Sequence, residues 1–202
     1  MVALTEPRHG LAGLHPGNFA LVMATAILAQ GMRLQELPGL ATALAATAAT
    51  AYVVLMVLSL LRLALAPRAV GQDLLDPGLV FGFFTLVAAT ALLGQLAVQA
   101  GLAGLAVGLW VLAFVCWCLL LYLAFSVLTF LTHERNVNIV HGGWLIAIGG
   151  TQSLVVLGAS LVPELGALGR YMQVEVHMLW GLGLCLYGIF VTLFCYRIFF
   201  LQ

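Results

Sequence analysis

The titratable side chains are the first candidates for chemistry in this chain of 202 residues, and they are few: seven Arg, seven Asp plus Glu, and five His. His9, His15, His133 and His141 lie in polar segments at the ends of long apolar runs. No pair of them has the close spacing of metal ligands, and His133 is not part of an HExxH run. We therefore expect no metal site and no cofactor. A metal- or haem-binding membrane enzyme stays a less favoured alternative.

Glu175 and His177 open the last apolar run. Because they are two positions apart, a helix points their side chains in different directions, and they do not form one site. An ionisable residue beside a membrane span is a functional candidate by default, so Glu175 is a candidate for ion or proton coupling. A structural role at the membrane interface is the alternative. No catalytic triad, nucleotide loop or protease motif is present, so we predict no catalytic residues and no enzyme activity.

Amide side chains lie inside three of the apolar runs: Gln30 in the first, Gln95 in the third and Gln152 in the fifth, with Asn18 at the start of the first. A Gln in hydrocarbon must face a partner or water. The second and fourth runs carry only scattered Thr and Ser, which can bond their own backbone. We therefore expect the odd helices to face inward around a path and the even helices to face lipid. Hydrogen bonding that only joins helices is the alternative.

The composition requires a bilayer around these runs. The chain is 64% hydrophobic and 7% charged, with a mean hydropathy of +1.16. Its net charge of zero gives no case for nucleic-acid binding. The sequence predicts one all-α transmembrane domain over residues 1–202. Its six helices are expected at about 16–34, 39–65, 77–99, 102–131, 143–163 and 172–200.

A motif recurs at nearly constant spacing where each odd helix begins. Its first copy is His15-Pro16-Gly17-Asn18-Phe19. The second is Asp76-Pro77-Gly78, which runs into Phe81-Gly82-Phe83-Phe84-Thr85, and a weaker third copy is His141-Gly142-Gly143-Trp144. A fixed period indicates a repeated structural unit. The unit here is a hairpin of two membrane helices, present three times, and such repeats are typical of transporters and channels.

The distribution of arginines predicts the orientation in the membrane. Five lie on the side of the N-terminus and two on the other side: Arg8, Arg62, Arg68, Arg135 and Arg197 against Arg33 and Arg170. Because basic residues favour the cytoplasmic side, we expect both termini in the cytoplasm.

Three segments resemble signatures of the tellurite-resistance/dicarboxylate transporter family, which includes malate and sulfite transporters, a tellurite-resistance channel and slow anion channels. Residues 15–25 (HPGNFALVMAT) resemble the first-helix signature. Asp76-Pro77 with residues 81–85 (FGFFT) resembles the third-helix signature. Trp144-Leu145 followed by residues 149–158 (GGTQSLVVLG) resembles the fifth-helix signature.

This resemblance implies a fold of about ten helices, arranged as five hairpins around a quasi-fivefold axis. The odd helices of that fold line a central anion pore, and family members are often trimers with one pore in each protomer. The present chain is similar to the first six helices. We therefore expect either a missing C-terminal half or a ring assembled from more than one chain, and an isolated monomer is not expected to conduct. The family's gating aromatic lies on the ninth helix, so no gate residue is assigned.

The function predicted from the sequence is transport of small anions, of the chloride, nitrate, sulfite, tellurite or C4-dicarboxylate class, in a bacterial inner membrane. The partners expected are the anions, membrane lipid and further copies of the chain. A non-transporting membrane subunit, or a truncated remnant of such a transporter, is the alternative. The residues predicted to line the path are Asn18, Thr25, Phe84, Gln95, Thr151 and Gln152.

Overall fold

The computed structural model describes residues 10–131 and 142–200, and this part of the chain consists of helices and short connections without a strand. Seven α-helices lie within these described residues: α1 Ala20–Leu34, α2 Pro38–Leu65, α3 Pro67–Leu74, α4 Phe84–Gln99, α5 Ala103–Ser126, α6 Ile146–Leu161 and α7 Gly169–Phe200. A five-residue π-helical segment, Val127–Leu131, follows α5, and 3₁₀ turns over Val162–Leu168 join α6 to α7.

Four helical stretches in the described residues are long and apolar enough to cross a membrane: Pro38–Leu65, Val80–Gln99, Ala103–Phe130 and Gly142–Phe199. The last of them contains both α6 and α7. The 15 residues of α1 rise about 22 Å, which is less than the roughly 30 Å of a hydrocarbon core. The prediction of an all-helical, membrane-spanning chain is confirmed at this level, whereas six spans in three hairpins stay a prediction.

Burial separates an inner helix from outer ones. Helix α4 contacts α1, α5 and α6, whereas the contacts of α2 are mainly with α1. Within the apolar window of Val80–Gln99, 72% is buried inside the protein, compared with 11% for Pro38–Leu65 and 28% for Ala103–Phe130. Helix α4 therefore forms the centre of the described part, and α2 and α5 present most of their apolar side chains outward. This arrangement is consistent with the polarity difference between odd and even runs.

The recurring motif corresponds to a recurring local structure. A four-residue 3₁₀ turn directly precedes each of α1, α4 and α6, at Pro16–Phe19, Val80–Phe83 and Gly142–Leu145. The first turn contacts the second, and the second contacts the third. The first two approach so closely that a Cβ on Gly82 would lie 3.4 Å from the Gly17 nitrogen.

The first two copies of the motif each contain an equivalent local hydrogen bond, from a backbone N–H to the side chain two positions earlier. The Gly17 N–H donates to Nδ1 of His15 over 2.9 Å, and the Gly78 N–H donates to Oδ1 of Asp76 over 2.7 Å. In the second copy the turn formed by Asp76, Pro77 and Gly78 lies before the helix. The third long helical stretch therefore begins at Val80 and not at Pro77 as predicted. His141 of the third copy lies outside the described residues.

Helix α3 is a feature that the sequence prediction treated only as a break. Pro67 is its first residue, a position where the missing N–H costs nothing. Arg62, near the end of α2, is buried and donates to Asp73 of α3 over 2.5 Å. Arg62 is therefore paired within the fold at the end of α2. Arg8 and Arg135 lie outside the described residues, and the orientation stays a prediction.

Candidate functional site

The first candidate feature is a group of helix N-termini. Because the three 3₁₀ turns lie side by side, α1, α4 and α6 begin at the same end of the bundle. Their N-cap residues Phe19, Phe83 and Leu145 make no side-chain capping bond, and none of the three helices has an acidic residue in its first turn. Each α-helix continues a 3₁₀ turn, however: the Gly17 N–H of the first turn is bonded to Nδ1 of His15, and the Asp76 carboxylate bonds the Gly78 N–H just before the second turn. The helix dipoles at this end of the bundle favour an anion, while Asp76 places a negative charge beside the second of the three ends.

Asn18 and Thr25 belong to the first of these helices. Asn18 is exposed in the 3₁₀ turn and borders a cavity formed with α2 and α3. Thr25 is half-buried on α1, and its hydroxyl donates to the Leu21 carbonyl over 2.8 Å. The Thr25 proton is therefore used inside the helix, and its oxygen remains as an acceptor.

Phe84 and Gln95 lie on the central helix α4, and both are buried. The Phe84 ring stacks on Phe81 with centroids 6.1 Å apart, and Phe81 in turn stacks on Trp144 at 4.9 Å. The carbonyl of Phe84 faces Gly150, where a Cβ would lie only 3.3 Å away. Phe84 therefore packs at the contact between α4 and α6.

Thr151 and Gln152 follow each other on α6 and point toward different outer helices. Thr151 is fully buried, and its hydroxyl accepts from the Trp117 indole N–H of α5 over 2.8 Å. It also donates to the Ala147 carbonyl over 2.8 Å. Gln152 is half-buried against α7, with Nε2 3.5 Å from the Trp180 carbonyl oxygen and close to Gly183. The structure thus places Thr151 toward α5 and Gln152 toward α7.

Glu175 lies apart from these residues. It is half-buried on α7 and borders a groove of 440 Å³ between α5 and α7, together with Trp110 and Met172. His177 lies 2.6 Å, measured from Nδ1, from the carbonyl oxygen of Gln173 within the same helix. Within residues 10–131 and 142–200, no group of three or more His, Cys, Asp or Glu side chains has a geometry for holding a metal ion.

Several polar side chains that join the helices were not selected from the sequence. The Tyr52 hydroxyl on α2 lies 2.8 Å from the Thr90 hydroxyl on α4, and the Trp110 indole donates to the Leu154 carbonyl on α6 over 3.1 Å. By contrast, Nε2 of Gln30, one of the amides noted in the sequence, is buried without a hydrogen-bond partner among the described residues. Aromatic residues with a polar tip inside otherwise apolar runs were the available signal, since Tyr and Trp usually find a partner when buried.

The apolar helices indicate a helical integral membrane protein, in which the N-termini of α1, α4 and α6 lie together at one end of the bundle. The family described as voltage-dependent anion channel matches residues 13–202, and the chain belongs to this family. This match confirms the family resemblance found in the sequence, and it supports anion transport and not an enzyme. No curated protein and no solved structure matches the chain.

Proposed function

We propose that the protein carries small anions through the membrane along a path formed by α1, α4 and α6. The observation that supports this most strongly is the side-by-side placement of the N-termini of α1, α4 and α6 at one end of the bundle. In this proposal α1–α2, α4–α5 and α6–α7 are three membrane hairpins, a partial form of a ten-helix ring. Since the sequence carries no nucleotide motif, an ion gradient drives the flux.

The proposed lining consists of Thr25, Gln95 and Gln152, while Asn18 borders the cavity beside α2 and α3 at the end where α1 begins. Phe84 and Thr151, which are wholly buried between helices, hold α4 and α6 in place behind the path. Helices α4 and α6 carry no Arg or Lys, and Arg33 of α1 lies in its last turn, where it donates to Gln99. Selection of anions therefore rests on helix dipoles, path width and amide N–H donors. The proposed substrates are small anions of the chloride, nitrate, sulfite, tellurite or C4-dicarboxylate class.

Assembly is part of the proposal. On α6 the side chain of Val156 is exposed, and the neighbouring Ser153 is only half-buried. This face is not covered by the described residues, so further copies of the chain, as a trimer, or further hairpins would close the path. We propose that both termini lie in the cytoplasm of a bacterium and that a monomer alone does not conduct. Counting copies per liposome by photobleaching, alongside anion flux, tests this: flux from single copies contradicts it.

Glu175 is proposed to couple flux to a proton gradient, because it is an ionisable residue half-buried between two apolar helices. Glu175→Gln is expected to leave flux under an anion gradient intact and to remove its response to an imposed pH gradient. An unchanged response to the pH gradient contradicts the coupling role and leaves the path itself unaffected.

Gln152→Leu tests the path. The change removes an amide donor while keeping similar bulk, and a hydrogen bond to a charged group contributes about 1.5–3 kcal/mol. We expect anion flux in proteoliposomes to fall by about tenfold or more, since 1.4 kcal/mol corresponds to a factor of ten. Gln173→Leu, at an exposed position on α7, is the matched control and leaves flux unchanged. Unaltered flux and selectivity in well-inserted Gln152→Leu protein contradict the lining role. No anion flux from assembled wild-type protein favours a non-transporting subunit.

A further inference from the structure

A partly enclosed cavity of 190 Å³ lies where the first 3₁₀ turn, α2 and α3 meet, away from the contact between α4 and α6. Hydrocarbon side chains form most of its wall, among them Leu55 and Met56 of α2 and Phe19 of the turn. Phe83 and Leu86 close it on the side of α4. The interior is therefore suited to an apolar group.

The polar groups of this cavity are gathered at one end. Helix α2 passes Leu55 first and reaches Arg62 one turn before its end at Leu65. His15 and Asn18 border the same cavity from the turn that precedes α1. The cavity is thus apolar toward the middle of α2 and polar toward its end, as a lipid is from chain to headgroup.

The rim of the cavity opens to the outer surface of the bundle. Leu60 and Leu63 border it, and their side chains are 58% and 52% exposed. Both belong to α2, of whose apolar window only 11% is buried inside the protein. A bilayer lipid therefore reaches this rim without crossing any other helix.

Helix α3 gives the polar end its shape and charge. It buries Val70 and Asp73 and exposes Arg68, a pattern typical of a helix that lies in the membrane interface. The pair of Arg62 and Asp73 holds α3 against α2. Outside this pair Arg68 is the charged side chain of α3 and is exposed at the α2–α3 corner, whereas Asp76 lies beyond the other end of α3 and bonds the Gly78 N–H. His15 adds a neutral donor, because its Nδ1 accepts from Gly17 and the neutral ring then carries its proton on Nε2.

We propose that this cavity binds one acyl chain of an anionic bilayer phospholipid. The headgroup rests at the end formed by His15, Asn18 and the α2–α3 corner. A water molecule occupies roughly 30 Å³ in the liquid, so a cavity of 190 Å³ has room for about six groups of that size. A short stretch of methylene groups, such as the upper part of an acyl chain, fits this volume. Anionic lipids are attracted to basic residues beside a membrane helix, and this attraction supplies the headgroup preference.

Photocrosslinking of the full chain in nanodiscs tests the proposal. The probe is phosphatidylglycerol with a diazirine in the upper part of one acyl chain, and the adducts are located by peptide mass spectrometry. We expect the adducts to concentrate on residues 55–63 and on the turn Pro16–Phe19. Even labelling along all exposed faces of α2 and α5 overturns the proposal. The same diazirine on phosphatidylcholine is expected to label the cavity at least threefold less, and equal labelling overturns the anionic headgroup.

A pair of substitutions on one helix separates the cavity from general lipid contact. Ser59→Phe fills the cavity and is expected to reduce its adducts at least fivefold. Val57→Phe introduces the same ring at an exposed position of α2 that does not border the cavity, and it is expected to leave the cavity adducts unchanged. Equal adduct yields from the two variants contradict the proposal. If Ser59→Phe does not insert, the adduct map of the unmodified protein decides.

Discussion

Gly94→Ala tests how closely the inner helices α4 and α6 pack. A Cβ at Gly94 would lie 2.4 Å from one methyl carbon of Leu157 and 3.1 Å from the other. Leu157 is fully buried, so its side chain has little room to move away. Forcing an extra methyl group into such a core costs about 1–3 kcal/mol. Replacing Gly by Ala in a helix also contributes about 0.5–1 kcal/mol of stabilisation, which a control must remove.

Gly108→Ala is that control, because Gly108 lies in the helix α5 and a Cβ there meets nothing within 4 Å. The free energies of unfolding are measured by SDS titration in mixed micelles. Gly94→Ala is expected to be about 1–3 kcal/mol less stable than Gly108→Ala. In the background of Leu157→Ala the Gly94→Ala change should lose this penalty, with a coupling of about 0.5–3 kcal/mol. Equal stability of the two single variants, or additive effects, refutes the close contact of α4 with α6.

Two further changes test the polar contacts that join α2 to its neighbours. Asp73→Leu leaves Arg62 buried without its carboxylate and is expected to destabilise the protein by about 3–5 kcal/mol. Adding Arg62→Met is expected to recover most of this loss. A loss below about 1 kcal/mol from Asp73→Leu contradicts the stabilising role of the pair. Tyr52→Phe removes the hydroxyl bonded to Thr90 and is expected to cost about 1 kcal/mol, and Tyr122→Phe, at a position 78% exposed, to cost nothing in the same titration. Equal effects of the two Tyr changes would contradict the buried hydrogen bond.

Hydropathy and local turn chemistry predicted much of the fold. The long helices lie close to the predicted ranges because a run of apolar residues bounded by Pro, Gly and charges is a local signal. The motif copies were recognised for the same reason, since the bond from Gly17 to His15 spans only two positions. Helix α3 was not predicted, because its apolar face is short and its stability depends on Asp73 contacting Arg62 from another helix.

Hydropathy and local turn chemistry could not predict which neighbouring helix each candidate side chain faces. Gln95 and Thr151 were selected as polar groups in apolar helices, and the sequence did not say which neighbour each would face. The Trp117 indole meets Thr151 only because α5 packs against α6, 34 positions apart along the chain. Which polar groups join helices and which border a path is decided by packing around α4, and this is a long-range property.

The most direct test of the central claim is the reversal potential of assembled wild-type protein in proteoliposomes, measured with a chloride gradient and with a potassium gluconate gradient. Anion transport along α1, α4 and α6 predicts a potential that follows the chloride gradient and changes when nitrate replaces chloride. A potential that follows potassium, or no current at all from assembled protein, contradicts it.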